Sequence, residues 1–309
     1  MAKRPVMDPT KAPCGALTMV YQDYDILRRW VNYYEKHLKR EHLYVLSHGG
    51  DPEHARIAAG CNVITIPRDP TSHHFDRRRW GAINSFHAGL MRYYNWMIVS
   101  DVDEFVLLDP DVGTDLVGYL TGYEHGSRHD GPDGIPKSLS PFGIELIHNP
   151  EVEPEALDPE APILRHRRVF RTNANYSKPC VLRQPANFTV GGHANNHQPR
   201  VLDPHLYLLH LRFYDYKATE KRLLGRQEIR EKIDAGKDPK TTGHAWKKDF
   251  ENFKKLSDGK PVREDCHLED FRSRMISGQQ HLHNGKITFW GGGRSKELYR
   301  LPERFSDLV

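Results

Sequence analysis

The sequence predicts an α/β fold with a mostly parallel central sheet. Two observations lead there. Short β-prone runs alternate with amphipathic stretches through the first hundred residues, at spacings that imply βαβ units. The fourth run, Trp96-Met97-Ile98-Val99, is apolar throughout, as a buried parallel strand should be, and gives way at once to acid, Asp101-Val102-Asp103-Glu104.

The elements follow in order. Ala16–Val20 is the first strand. Leu27, Trp30, Val31, Tyr34 and Leu38 then repeat at i, i+3, i+4, i+7 and i+11, one face of a helix. Leu43–Leu46 is a second strand, closed by Ser47-His48-Gly49-Gly50. Asp51 before Pro52 is an N-cap and N1 pair that opens a short helix to Ala59. Val63–Ile66 is the third strand, ended by Pro67, and Arg79–Tyr93 the next helix. Asp115–Leu120 is a short helix. Residues 122–138 (Gly, His, Asp, Pro) and 149–162 (acidic, Pro-rich) have the composition of long exposed loops. Short β-prone runs recur at Ile144–Ile147, Cys180–Leu182 and Tyr207–Leu211, and a charged helix is expected over Lys217–Ala235, stopped by Gly236. Helical stretches near 246–256 and 264–276 complete the chain. The expected division is one catalytic-type domain over 14–236 and a helical, basic C-terminal extension over 237–309.

Composition bounds the function. With 309 residues, 12 Phe, 5 Trp and 14 Tyr, the chain affords a sizeable core, so disorder is excluded as its main state. The net charge of +4 is spread along the chain, too little for a dedicated nucleic-acid binder. No apolar stretch has the length of a signal peptide or a membrane span. Cys14, Cys61, Cys180 and Cys266 are dispersed and form no C-x-x-C pair, which reads as reduced thiols in a cytoplasm.

Three D-x-D triplets occur: Asp23/Asp25, Asp101/Asp103 and Asp109/Asp111. Only Asp101/Asp103 follows a predicted buried parallel strand, at the end where open α/β sheets bind ligands. Strand alternation would send both carboxylates to one side, toward a hard cation or a metal–diphosphate complex. The competing reading is a solvated acidic turn.

The order Tyr21-Gln22-Asp23, Trp30-x-x-Tyr33-Tyr34, Leu43-Tyr44-Val45 and Trp96-x-x-x-x-Asp101-Val102-Asp103-Glu104-Phe105 resembles bacterial family-2-like glycosyltransferases of the GT-A type. The likeness continues through Pro141-Phe142-Gly143, Lys178-Pro179-Cys180-Val181, His193 to His197 and Leu209-His210-Leu211. It spans roughly residues 16–235. The resemblance implies a Rossmann-like GT-A domain, a nucleotide-sugar donor, a saccharide or lipid-linked acceptor, and Mn²⁺ or Mg²⁺ bridging the diphosphate. It places Asp101 near the ribose or a metal-bound water and Asp103 on the metal. Similar enzymes often carry Asn-Glu after the first strand and an acid just after the second. Here those places read Gln22-Asp23 and Ser47-His48-Gly49-Gly50-Asp51. Asp51 is therefore open between a donor contact and a helix cap, and Asp23 stands at the other donor position.

Other residues could complete such a site. His210 is either a core histidine on an apolar strand or a metal ligand opposite the acidic motif, a role that neutral imidazole suits. His193 and His197 read as a polar loop at the acceptor side. Lys178 and the run Arg165-His166-Arg167-Arg168 could contact phosphate, the run competing with a solvated strand edge. Arg78, in Asp76-Arg77-Arg78-Arg79-Trp80, is a further diphosphate candidate. Glu145 and Asp158 are the candidates for the base that takes the acceptor proton. Basic residues of the last helices (Lys247, Lys248, Lys254, Lys255, Arg272, Arg274) could rest on an anionic membrane, or form a solvated face. The leading expectation is a metal-dependent glycosyltransferase serving bacterial surface polysaccharide or glycolipid synthesis. The alternatives are a metal-dependent nucleotidyltransferase and a non-catalytic carbohydrate-binding protein on a degenerate transferase fold.

Overall fold

A computed structural model describes residues 7–70, 72, 74–124, 136–198, 200–223, 249–282, 287–290 and 295–309. The strands are β1 (Ala12–Val20), β2 (Leu43–His48), β3 (Asn62–Ile66), β4 (Tyr94–Val99), β5 (Glu104–Leu108), β6 (Ser138–Ile147), β7 (Val169–Thr172), β8 (Val181–Leu182), β9 (Val201–Phe213), β10 (Val262–Arg263), β11 (Gln279–Leu282), β12 (Ile287–Trp290) and β13 (Leu298–Arg300). The helices are α1 (Tyr24–Tyr34), α2 (Pro52–Ile57), α3 (Phe75–Leu90), α4 (Leu116–Thr121), α5 (Ile163–His166), α6 (Asp249–Ser257) and α7 (Leu268–Ser277), with a further helical segment over 216–223.

The expected α/β class is found. β3, β2, β1 and β4 lie side by side in that order, all parallel. Leu17, Met19, Met97 and Val99 pack against Trp80 and Ile83 of α3 on one face. Ala16, Val20, Trp96 and Ile98 pack with Leu27 and Trp30 of α1 on the other. Helices on both faces explain why β4 carries no polar alternation. The chain leaves β1 toward β2 but returns from β3 to place β4 on the far side of β1. Their carboxyl ends therefore flank a topological switch point, where such sheets hold ligands.

Beyond β4 the sheet becomes mixed. β8 runs antiparallel to β4 and β6, β7 antiparallel to β6, and β9 lies parallel to β6 and antiparallel to β5. The apolar run Phe105–Leu108, hidden behind the acidic motif in the sequence, thus belongs to a full strand that Glu104 opens. The tail does more than extend the domain with helices: β13 pairs with β7, β10 pairs with β13, and Leu298, Leu301 and Phe305 are buried. These strands are too short to show a period, and only their partners from elsewhere in the chain order them. Of the basic tail, Arg272 is buried, with Nη2 donating to the Tyr207 hydroxyl at 2.9 Å, so it is no part of a membrane-facing surface. Lys247, Lys248, Gly236 and most of 122–138 lie outside the described residues. Among the described residues no helix is long and apolar enough to cross a membrane.

Candidate functional site

The site begins where β4 ends. Ser100 is buried and its Oγ donates to the Glu104 carbonyl at 2.9 Å, while Glu104 N donates to Asp101 O at 3.0 Å. Asp101, Val102 and Asp103 thus make a tight turn into β5 rather than a continued strand. Strand alternation does not apply to them, and the expectation that both carboxylates share one partner is corrected. Asp101 turns toward Lys178 Nζ (3.2 Å) and Arg79 Nη2 (3.3 Å). Asp103 Oδ2 turns toward His210 Nε2 (3.6 Å) and accepts from Arg222 Nη1 (3.2 Å). Burial would raise the Asp101 carboxyl, but Lys178 and Arg79 hold it below the ordinary range.

Lys178 reaches this point because of Gly143. The segment 173–177 crosses directly over β6 there, and a Cβ on Gly143 would lie 2.5 Å from Asn173 O and 2.7 Å from Ser177 N. The crossing is fastened by Gly143 N donating to Ser177 Oγ at 2.8 Å. It delivers Tyr176 against His210, ring centroids 3.9 Å apart, and Lys178 beside β4. The Pro141-Phe142-Gly143 motif therefore has a steric reason.

A buried charged row crosses the sheet beneath the turn. Glu104 of β5 stands opposite His210 of β9, His210 opposite Glu145 of β6, and Glu145 opposite Arg171 of β7. Glu145 Oε2 accepts from Arg171 Nε at 2.6 Å and from Asn173 Nδ2 at 3.1 Å. Burial alone would raise Glu145, yet His210 and Arg171 bring it down to about 2. Buried and committed in this way, Glu145 is not placed to take a proton from an acceptor hydroxyl. Asp158 is not either. It lies in the exposed loop, where its Oδ1 accepts from Glu160 N at 2.9 Å.

On the other side of the switch point, the Arg68 guanidinium sits 3.6 Å above the centroid of the Tyr21 ring, and His48 stacks on Phe75 at 5.3 Å. Burial and the nearby Arg79 lower His48 to about 4. Asp51 proves to be the N-cap of α2. Its Oδ1 accepts from Glu53 N at 2.9 Å and its Oδ2 from the Tyr24 hydroxyl at 2.6 Å. Gln22 and Asp23 are both left-handed (φ 55° and 48°), which turns the chain sharply from β1 into α1, and Asp23 O accepts the first bond of that helix from Leu27 N. Arg78 is exposed, and its neighbour Arg79 makes the contact with Asp101.

His193 Nδ1 donates to Asn175 O at 2.8 Å, and burial with the nearby Lys178 lowers this imidazole to about 4. His197 Nε2 lies 3.3 Å from Gln184 O. Of the basic run, Arg167 turns inward to Asp215 at 2.9 Å, and Arg165 pairs with Asp307 at 2.6 Å. Neither touches the turn at 101–103. Arg171, Asn173, Tyr176 and Arg222 carried no motif, and Glu104 stood in the acidic motif without an assigned role. The pairing of Glu104 with β9 could have been suspected from the apolar run behind it; Arg222, on a charged helix, offered no signal.

Three cations (Arg79, Lys178, Arg222) and three carboxylates (Asp101, Asp103, Glu104) thus meet at the carboxyl edge of the parallel strands. Among the described residues no group of three or more His, Cys, Asp or Glu side chains is gathered to hold a metal ion. No protein-family model matches the chain, and no curated protein does. Among solved structures it is similar to a mannose-1-phosphate geranyltransferase from Thermus thermophilus, at 10% identity and a TM-score of 0.25. That similarity covers 74% of this chain and 66% of the other, and is too slight to assign an activity.

Proposed function

We propose that the protein is a metal-dependent glycosyltransferase that moves a sugar from a nucleotide-sugar donor to a saccharide or lipid-linked acceptor. The observation that carries this reading is Asp103 Oδ2 facing His210 Nε2 at 3.6 Å, at the switch point between β1 and β4. A carboxylate and an imidazole on separate elements offer one hard and one borderline donor, a pair that fits Mn²⁺, and Mg²⁺ chiefly through the carboxylate. Asp101 fits less well as a ligand, since Lys178 and Arg79 engage both its oxygens, while at Asp103 a single cation, Arg222 Nη1 at 3.2 Å from Oδ2, would have to give way. With two protein donors, the remaining coordination would have to come from the donor diphosphate and water. When bound, the cation would stabilise the charge left on the departing diphosphate.

The chain's own residues then divide the remaining work. Arg79 and Lys178 supply positive charge beside the diphosphate, already oriented by Asp101 and needing no rearrangement. Arg222, on Asp103, supplies the same from the opposite side. The Tyr21, Arg68 and Phe75 cluster offers flat faces for a nucleoside. The acceptor approaches from the loop that holds His193.

A panel of nucleotide sugars, incubated with Mn²⁺ and either the wild type or Asp103→Ala, tests this. Release of a nucleoside diphosphate by the wild type alone is expected. Pyrophosphate as product would replace this reading with a nucleotidyltransferase. Tight sugar binding without turnover would point to a carbohydrate-binding protein.

A further inference from the structure

Glu145 was a candidate base in the sequence, and its surroundings assign it another task. Both donors that hold it, Arg171 Nε and Asn173 Nδ2, bond to Oε2. Its Oε1 is left facing His210 Nδ1 at 3.7 Å. That Nδ1 is fully buried and has no hydrogen-bond partner among the described residues. The ring cannot swing away from Glu145, because Tyr176 packs on it and β5 and β6 pair with β9 on either side.

We infer that Glu145, locked by Arg171 and Asn173, is a positioning residue for His210: it keeps the proton on Nδ1 and so leaves the Nε2 lone pair aimed at Asp103. The chemistry is that of a carboxylate behind a ligating imidazole, which selects the tautomer and fixes the direction of the other nitrogen's lone pair. Free imidazole side chains favour the proton on Nε2, so the arrangement reverses an intrinsic preference. A lone pair facing a carboxylate is unfavourable by itself and calls for positive charge beside the pair, which Arg222 Nη1 supplies at 3.2 Å from Asp103 Oδ2 and a bound cation would supply more directly. The inference rests on the proposed metal-dependent reading only for its purpose, not for the tautomer itself.

The test is ¹⁵N NMR of histidine-labelled full-length protein at pH 8.5, with His210 assigned through His210→Gln. The wild type is expected to show a protonated Nδ1 and a bare Nε2. In Glu145→Gln the amide oxygen must face Arg171 and Asn173, which both donate. Its NH₂ then faces Nδ1, and the tautomer should flip to a protonated Nε2. Mg²⁺ alone should shift Nε2 in the wild type, with affinity weakened roughly 10- to 100-fold in Glu145→Gln. A wild-type proton on Nε2 would overturn the inference whether or not the variant folds. So would an unchanged tautomer in a folded Glu145→Gln. The expected tautomer and flip without any Mg²⁺ response would support the role of Glu145 and remove the metal from the proposed function.

Discussion

Lys178 Nζ lies 2.6 Å from Glu104 Oε1, and both side chains are almost wholly buried. Burial pushes the Glu104 carboxyl up to about 7, with Lys178 opposing it. Burial would lower Lys178, but Glu104 and Asp101 outweigh it and hold the ammonium above its ordinary range. Such a pair adds little net stability against an apolar replacement, yet removing one partner strands a charge. Lys178→Met should therefore destabilise the protein by about 3–5 kcal/mol, measured by urea denaturation. Adding Glu104→Leu should recover part of that loss. A single-variant loss below about 1 kcal/mol would mean that Glu104 is neutral or hydrated in the folded protein.

Arg79 and Arg78 are adjacent, but only Arg79 reaches Asp101. A charge-assisted hydrogen bond contributes about 1.5–3 kcal/mol, so Arg79→Met should raise the donor KM on the order of 10- to 100-fold. Arg78→Met should leave it unchanged. Steady-state kinetics on the two variants decide the matter, and equal effects would contradict the assigned contact.

Gly143→Ala should disturb the site without touching a charged residue. The added methyl meets the backbone of Asn173, Tyr176 and Ser177, none of which can rotate away. A loss of roughly 1–3 kcal/mol is expected, with weaker donor binding because Lys178 shifts with the segment. Thermal melts and donor titration of the same preparation would show both effects. An unchanged melting temperature would contradict the close crossing.

Asp103→Ala should lower Mn²⁺-dependent turnover by at least about 10²-fold, since a bound cation supplies several kcal/mol of charge stabilisation. The result to compare is Asp101→Asn, which removes a partner of Lys178 and Arg79 rather than a donor facing His210. Isothermal titration with Mn²⁺ should separate them, with affinity lost in Asp103→Ala and largely kept in Asp101→Asn.

Stability should fall as the pH drops from about 6.5 to about 4. His48 and His193 are lowered to about 4 in the fold by burial, aided by Arg79 and Lys178 respectively. In the unfolded chain each titrates near 6.5, so through this window the unfolded state binds protons that the folded state refuses. Glu104, raised to about 7, works the other way between about 4.5 and 7, and the two histidines outweigh it. Glu145, lowered to about 2, adds stability that is complete above about 4.5 and is lost as the pH falls toward 2. Urea midpoints across pH 4–7 should slope accordingly, and His48→Gln with His193→Gln should flatten the upper part. An unaltered slope would rule these histidines out as its source.

Local pattern settled a definite part of this protein. The apolar run at 96–99, the helical stripe from Leu27 to Tyr34 and the Asp51-Pro52 start of α2 were all legible, because period and capping act over a few residues; Leu38, the last member of the expected stripe, falls past the end of α1. They suffice to place Asp101 and Asp103 at the carboxyl edge of the parallel strands. Which partners those carboxylates meet was decided by distant segments: Lys178 by the crossing over Gly143, Arg79 by the docking of α3, and His210 by the register of β9 between β5 and β6. The same pairing turned Glu145 from a candidate base into a buried anchor. Side-chain period in one strand says which face a residue takes, but not which residue of another strand stands opposite. That choice is made when the sheet closes and its buried charges find partners, and it exists only in the folded chain.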